Sequence, residues 1–376
     1  MIYLDNAATS HPKAPGVAAA VAGCLDEGAC SPGRGSHPLA LAASRLLFEA
    51  REATAGFLGA PHSERLIFTP NATAALNLAL LGSVPPGGLV ALSSLEHNAV
   101  MRPLRHLEAT QGVRLRVIPF DGCGRPDPGS LQEALDQRPD LFVLTTASNV
   151  TGALTPVAEI AERCARRGIP LCLDASQSLG HHPLPALGQF TCFSGHKGLL
   201  GPTGTGGLLL GAEAQPQPLL FGGTGSASEL EVQPNILPDR FEPGTPNLPG
   251  LAGLRVALQF LASTGLPAVQ AREAALCDEL LRGLLALPGV VIHGPDPGQP
   301  RVPVISLTLP DRDLGEVALA LDRRGICTRV GLHCAPAAHR SLGTFAGGGT
   351  LRLSLGFFTT DQEIRDTLEA LEAILT

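Results

Sequence analysis

The chain has 376 residues, a net charge of −7, and 44% hydrophobic against 16% charged residues. At ~150 residues per domain it can bury the cores of two or three domains, and it is too apolar to stay disordered. An acidic balance without a basic run argues against a nucleic-acid backbone or an anionic membrane surface as the main partner, and nine cysteines without CxxC spacing exclude a disulfide framework and suit a reducing compartment.

The first residues lack both a basic and an apolar leader region, which predicts a cytoplasmic protein. The uncharged stretch 67–95 is broken by Asn71, Asn77 and Pro85-Pro86-Gly87-Gly88, so it does not read as a membrane span. Short apolar runs at 66–68, 89–92, 115–118, 141–145, 170–173, 190–193 and 207–210 alternate with helix-length segments at 73–81, 100–110, 130–137 and 156–167. Thr155 is placed to cap the last of these, with Pro156 at its first position. This rhythm predicts an α/β fold with a mostly parallel central sheet, which binds ligands at the carboxyl ends of its strands.

Residues 215–250 are rich in Gly, Pro and Asn and read as irregular crossover, with Gly222-Gly223-Thr224-Gly225 a turn near a subunit interface rather than a phosphate loop. Then come a helical region at 251–287 broken near Gly265-Leu266-Pro267, strand-like 302–309, a helix over 314–324, strand-like 351–355, and a last helix opening on the capping-box pattern Thr360-Asp361-Gln362-Glu363. The expected organisation is a large α/β domain over 21–250 and a small α+β domain made from 1–20 and 251–376.

Of the 27 basic residues 25 are Arg, so the two lysines, Lys13 and Lys197, invite the question of what an amine does that a guanidinium does not. Lys197, in Ser194-Gly195-His196-Lys197 directly after an apolar run, reads either as a solvated loop residue or as a desolvated, nucleophilic amine able to form a Schiff base. Asp174 ends the run Leu171-Cys172-Leu173 and reads either as a helix cap or as the partner of a buried cation such as the pyridinium nitrogen of pyridoxal 5'-phosphate (PLP). Cys334 reads as one more small buried thiol or as an exposed thiolate. His333, Cys334 and His339 lack the spacing and fourth ligand of a zinc site, so no metal is expected, and His181-His182 reads as loop.

Eight motifs occur in an order that resembles the cysteine desulfurases, in the class V branch of fold-type I PLP enzymes. They are Asn6-Ala7-Ala8-Thr9, Glu96-His97-Asn98, Ser148-Asn149-Val150-Thr151-Gly152, Asp174-Ala175-Ser176-Gln177, Ser194-Gly195-His196-Lys197, Gly244-Thr245-Pro246-Asn247, His333-Cys334-Ala335 and Leu351-Arg352-Leu353-Ser354. The segment around Cys334 resembles the group that includes selenocysteine lyases. The resemblance implies that Lys197 holds PLP as a Schiff base, Asp174 pairs with the ring nitrogen, Gln177 with the ring oxygen, and His97 stacks on the ring. It also implies that Ala72, Thr73, Ser194 and His196 hold the phosphate, and that Thr245 reaches the phosphate of the neighbouring subunit in a homodimer.

Asn149 and Arg352 would bind the substrate carboxylate, with Ala7 in the substrate pocket. His37, in the loop Arg34-Gly35-Ser36-His37, is expected at the substrate entrance. Cys334, aided by His333 and Arg329, would take sulfur from L-cysteine, leaving alanine and a persulfide for a thiol or protein acceptor. Selenocysteine lyase, another class V β-lyase or transaminase, and a catalytically silent sulfur-relay scaffold are the alternatives. Two departures bear on substrate and acceptor range: three residues separate Lys197 from Gly201-Pro202 where the family usually has two, and the Cys334 loop continues as Ala335-Pro336-Ala337-Ala338-His339.

Overall fold

The computed structural model describes residues 1–26, 30–33, 35–227 and 229–376, so Arg34 of the expected pocket loop lies outside the described residues. The chain opens with β1 (Ile2–Tyr3), α1 (Val17–Asp26) and α2 (Pro38–Leu58). The alternating region follows as β2 (Leu66–Thr69), α3 (Ala72–Ser83), β3 (Leu89–Ser93), α4 (Asn98–Gln111), β4 (Arg114–Ile118), α5 (Pro128–Asp136), β5 (Leu141–Thr145), α6 (Val157–Ala165), β6 (Leu171–Asp174), β7 (Phe190–Ser194) and β8 (Gly206–Leu210).

These strands form one sheet in the order β2-β8-β7-β6-β5-β3-β4, parallel except for β8, which runs antiparallel to both neighbours. β3, β5, β6, β7 and β8 are buried along their whole length, the signature of strands covered on both faces and the reason they read as apolar runs. One expected cap is corrected. The Thr155 hydroxyl donates to the Thr145 carbonyl at 2.7 Å, tying down the end of β5, and Pro156 precedes α6 with no side-chain cap.

No helix or strand occurs among the described residues between β8 and α7 (Leu248–Thr264), and α7 turns by 83° at Gly265, in the left-handed region with φ 81°, into α8 (Leu266–Ala286). No single helix among the described residues is long and apolar enough to cross a membrane. The remaining elements are β9 (Val291–His293), β10 (Val304–Thr308), α9 (Leu314–Asp322), β11 (Ile326–Cys327), β12 (Arg329–Gly331), α10 (Pro336–Ser341), β13 (Thr350–Ser354) and α11 (Asp361–Leu375). They build an antiparallel sheet ordered β12-β13-β10-β9, while β11 pairs in parallel with β1. The capping box at Thr360 forms as expected.

Leu251, Leu254, Leu258 and Leu261 of α7 pack with Leu66, Phe193 and Leu209 of the large sheet, each buried leucine contributing on the order of 2 kcal/mol. A second core, with Leu276, Leu280, Ile305, Leu353 and Ile364, takes in Leu4, while Val269 at the start of α8 still packs with the first. α1 also packs on α7.

Candidate active site

The carboxyl ends of β3, β5, β6 and β7 lead into His97, Asn149, Asp174 with Gln177, and Lys197, respectively. Asp174 is 4% exposed, and its Oδ1 accepts the Ser176 N–H at 3.0 Å and the Ser176 hydroxyl. It thus closes a turn rather than capping a helix, and its Oδ2 is left to meet a cation. Lys197 is half-buried. Burial pushes its amine down to about 8, against the opposing pull of Asp174, and the Arg352 guanidinium and Cys334 thiol also bear on its charge. Roughly a tenth of such an amine is neutral at pH 7, far more than of an ordinary lysine.

His97 caps α4, its Nδ1 accepting the Ala99 N–H at 3.0 Å, which assigns the ring proton to Nε2. Burial, with Lys197 adding to it, pushes this ring down to about 4, so it is neutral and fixed in orientation. At the start of α3 the Asn71 side chain accepts the Ala74 N–H at 2.9 Å and Ser194 Oγ accepts the Ala72 N–H at 3.2 Å. The Thr73 N–H and hydroxyl make no hydrogen bond among the described residues, and donors at a helix N-terminus suit a phosphate. A buried carboxylate with an unspent oxygen, a neutral ring, a softened amine and these donors fit PLP.

Arg352, 3% exposed, donates from Nη2 to Asp5 Oδ1 at 2.9 Å and from Nη1 to the Asn149 carbonyl at 3.1 Å, while its buried Nε has no partner. Five donors with two in use leave the fork free to take a carboxylate. Asn149 donates from Nδ2 to the His333 carbonyl at 2.6 Å, and Gln177 donates from Nε2 to the Ala7 carbonyl at 3.0 Å.

Of nine cysteines, Cys334 alone is exposed; four are fully buried and four half-buried. It borders a cleft of about 350 Å³ shared with Thr73, His97, Asn98, Arg102 and His106. His333 and Cys334 are consecutive residues with φ of 47° and 57°, a left-handed backbone that side chains resist by roughly 1–2 kcal/mol each. The Asn149 and Asn98 donors hold the two carbonyls in that arrangement, the latter at 2.7 Å to Cys334 O, and this turns the thiol outward.

The expected helpers of Cys334 hydrogen-bond elsewhere, though the thiol still bears on the charge of Arg329. Arg329 grips Asp5 through Nε and Nη2 at 3.0 and 2.9 Å, and the His333 Nε2 faces Thr350, with burial pushing the ring down to about 3. His37 caps α2 through Nδ1 at 3.2 Å from Ala40 N and does not border the Cys334 cleft. Thr245 is exposed and lines a different cavity, of about 430 Å³, with Phe68, Leu219 and Phe241. His181 and His182 tie a loop to α8 through Glu273 and Gln270 at 2.8 Å each.

Sequence reading assigned no role to Asp5, Lys13 or Glu96. Glu96 is fully buried, accepting the Ser93 hydroxyl at 2.5 Å and the Thr145 N–H at 2.7 Å, so it joins the ends of β3 and β5 from which His97 and Asn149 depart. Its Oε2 has no partner, and burial pushes the carboxyl up to about 8. The folded state then holds a proton that the unfolded chain has released above about pH 4.5, so this residue lowers stability as pH rises toward 8. Glu96→Gln, a neutral isostere, is expected to flatten that decline, measured as urea midpoints at about pH 5 and about pH 8. An unchanged slope would mean that Glu96 is ionised in the fold.

The chain belongs to the class-V aminotransferase family, whose model matches residues 2–366. Within that class its relatives are cysteine desulfurases. It is 34% identical to a probable cysteine desulfurase of Methanothermobacter thermautotrophicus, covering 99% of this chain and 94% of the relative. It is 32% identical to a cysteine desulfurase of Pectobacterium atrosepticum, covering 91% and 85%. An apo cysteine desulfurase structure from Thermococcus onnurineus superposes with a TM-score of 0.92 at 30% identity, covering 100% of this chain and 94% of that one. Members of the family use PLP in general.

Proposed function

We propose that this chain is a homodimeric cysteine desulfurase that holds PLP on Lys197 and passes sulfur from L-cysteine through Cys334 to a thiol or protein acceptor in the cytoplasm. The observation that carries the reading is that the single exposed cysteine of nine borders the cleft of His97 and Thr73 and bears on the charge of Lys197. When bound, the cofactor supplies a sink for the electron pair left at the substrate Cα.

The chain's own residues do the rest. The unspent Arg352 donors, with Asn149, would bind the substrate carboxylate, while Asp174 through its unspent Oδ2 and the neutral ring of His97 would hold the cofactor ring. The Lys197 amine takes the Cα proton and later returns one. The Cys334 thiolate attacks the substrate sulfur, so an S–S bond forms as the Cβ–S bond breaks, and the carbon fragment takes that electron pair and a proton to become alanine. A second thiolate then accepts the outer sulfur and frees Cys334.

The homodimer is supported by Leu220, Phe221, Val232 and Ile236, each at least 63% exposed in the segment that leads to Thr245. The test is to supply PLP and L-cysteine to the purified protein. A visible cofactor band that borohydride fixes on Lys197, with alanine and reducible sulfur formed in equal amounts, is expected. A colourless protein under excess PLP, or a coloured one that makes no alanine, would sink the reading.

A further inference from the structure

The chain has only two lysines, and the fold brings the second to the turn that carries the first. Lys13 Nζ donates to Thr9 Oγ1 at 3.2 Å, to Ser10 Oγ at 3.0 Å, and at 3.0 Å to the carbonyl oxygen of His196, the residue before Lys197. The same carbonyl faces the Ser10 N–H at 2.9 Å and the hydroxyls of Thr9 and Ser10 at 3.1 and 3.2 Å. On the far side of the turn, the Ala14 N–H donates to the Leu200 carbonyl at 3.2 Å, while the Leu200 N–H donates to the Lys197 carbonyl at 2.8 Å. Residues 9–14 thus brace the Lys197 turn at both ends.

The choice of lysine has a physical reason. An ammonium offers three donors in a tetrahedral spread, and here three oxygens surround it, whereas the planar fork of a guanidinium cannot converge on them. The site is costly to the charge, since burial pushes the amine down to about 8 and no carboxylate lies within ion-pair distance of it among the described residues. A chain that writes arginine at 25 of 27 basic positions keeps lysine here beside the other lysine it keeps.

We infer that Lys13 is a positioning residue: it clamps the His196 carbonyl, and with it the backbone of Lys197, onto the N-terminal segment, so that the Lys197 amine is held at its working place. The inference rests on the reading of Lys197 as the amine that carries the cofactor.

Because the chain has two lysines, reductive methylation with formaldehyde and cyanoborohydride, read by peptide mass spectrometry, follows each amine separately in the cofactor-free protein. In Lys13→Met and Lys13→Arg, each checked for fold by circular dichroism and melting temperature, the rate of Lys197 methylation at neutral pH should change at least about threefold. With PLP bound, kcat should fall at least about tenfold and KM change by less than about threefold. Lys13→Arg should behave as Lys13→Met does, since charge without the ammonium's geometry is not enough. Wild-type Lys197 reactivity and kcat in either folded variant would overturn the inference. If Lys13→Met does not fold, Lys13→Arg decides by the same two readouts. If the wild-type protein binds no PLP on Lys197, the functional reading fails instead, and the methylation rates still decide the positioning role.

Discussion

Cys334→Ala should take up PLP with the wild-type band, fold with an unchanged melting temperature, and form alanine from L-cysteine at least ~10³-fold more slowly. The thiol is exposed and packs against no core, so its removal opens no cavity. Alanine at φ 57° bears the same left-handed strain as cysteine, and the Asn98 N–H bond to the residue 334 carbonyl at 2.7 Å does not depend on the side chain. What disappears is the only nucleophile placed to accept sulfur, because the other eight cysteines are buried or half-buried. Alanine, sulfide and the cofactor band measured together separate the outcomes. If the variant still makes alanine and releases sulfur at the wild-type rate, Cys334 is no sulfur carrier, and elimination directly from the substrate becomes the reaction.

Lys197→Ala should lose more than ~10⁴-fold in rate while the protein remains folded, and PLP should then be removable by dialysis and no longer fixed by borohydride. Removing a half-buried amine whose charged form burial already disfavours leaves no unpaired partner of consequence, since Asp174 keeps its two bonds from Ser176. Lys197→Arg should fail equally. A guanidinium stays protonated and cannot form the Schiff base, so keeping positive charge beside Asp174 does not rescue the reaction. Mass spectrometry after borohydride reduction checks this directly, since the tag must sit on Lys197 in the wild type. A tag on Lys13 would show that the wrong amine has been assigned.

Much of this was legible in the sequence because local patterns dictate it. Continuous apolar runs such as 141–145 and 190–194 specify strands covered on both faces, and the residue just past each run stands at the ligand-binding edge. The pattern alone puts Asp174 and Lys197 at one sheet edge. The capping box at Thr360 and the break at Gly265 are equally local.

Contacts between residues distant in sequence were not legible. Asp5 and Arg352 meet across most of the chain's length, and Lys13 reaches the His196 carbonyl from 183 residues away. Arg329 and His333, close to Cys334 in sequence, spend their hydrogen bonds on Asp5 and Thr350 because the fold places those partners within reach. Thr155 abandons its cap for the Thr145 carbonyl for the same reason. The sequence by itself determined the strands, the sheet edge and the set of reactive residue types, which depend on neighbours along the chain. Only the tertiary structure decided which cysteine meets solvent and which lysine supports the other, because burial and hydrogen-bond partnership are set by packing between segments that the chain keeps far apart.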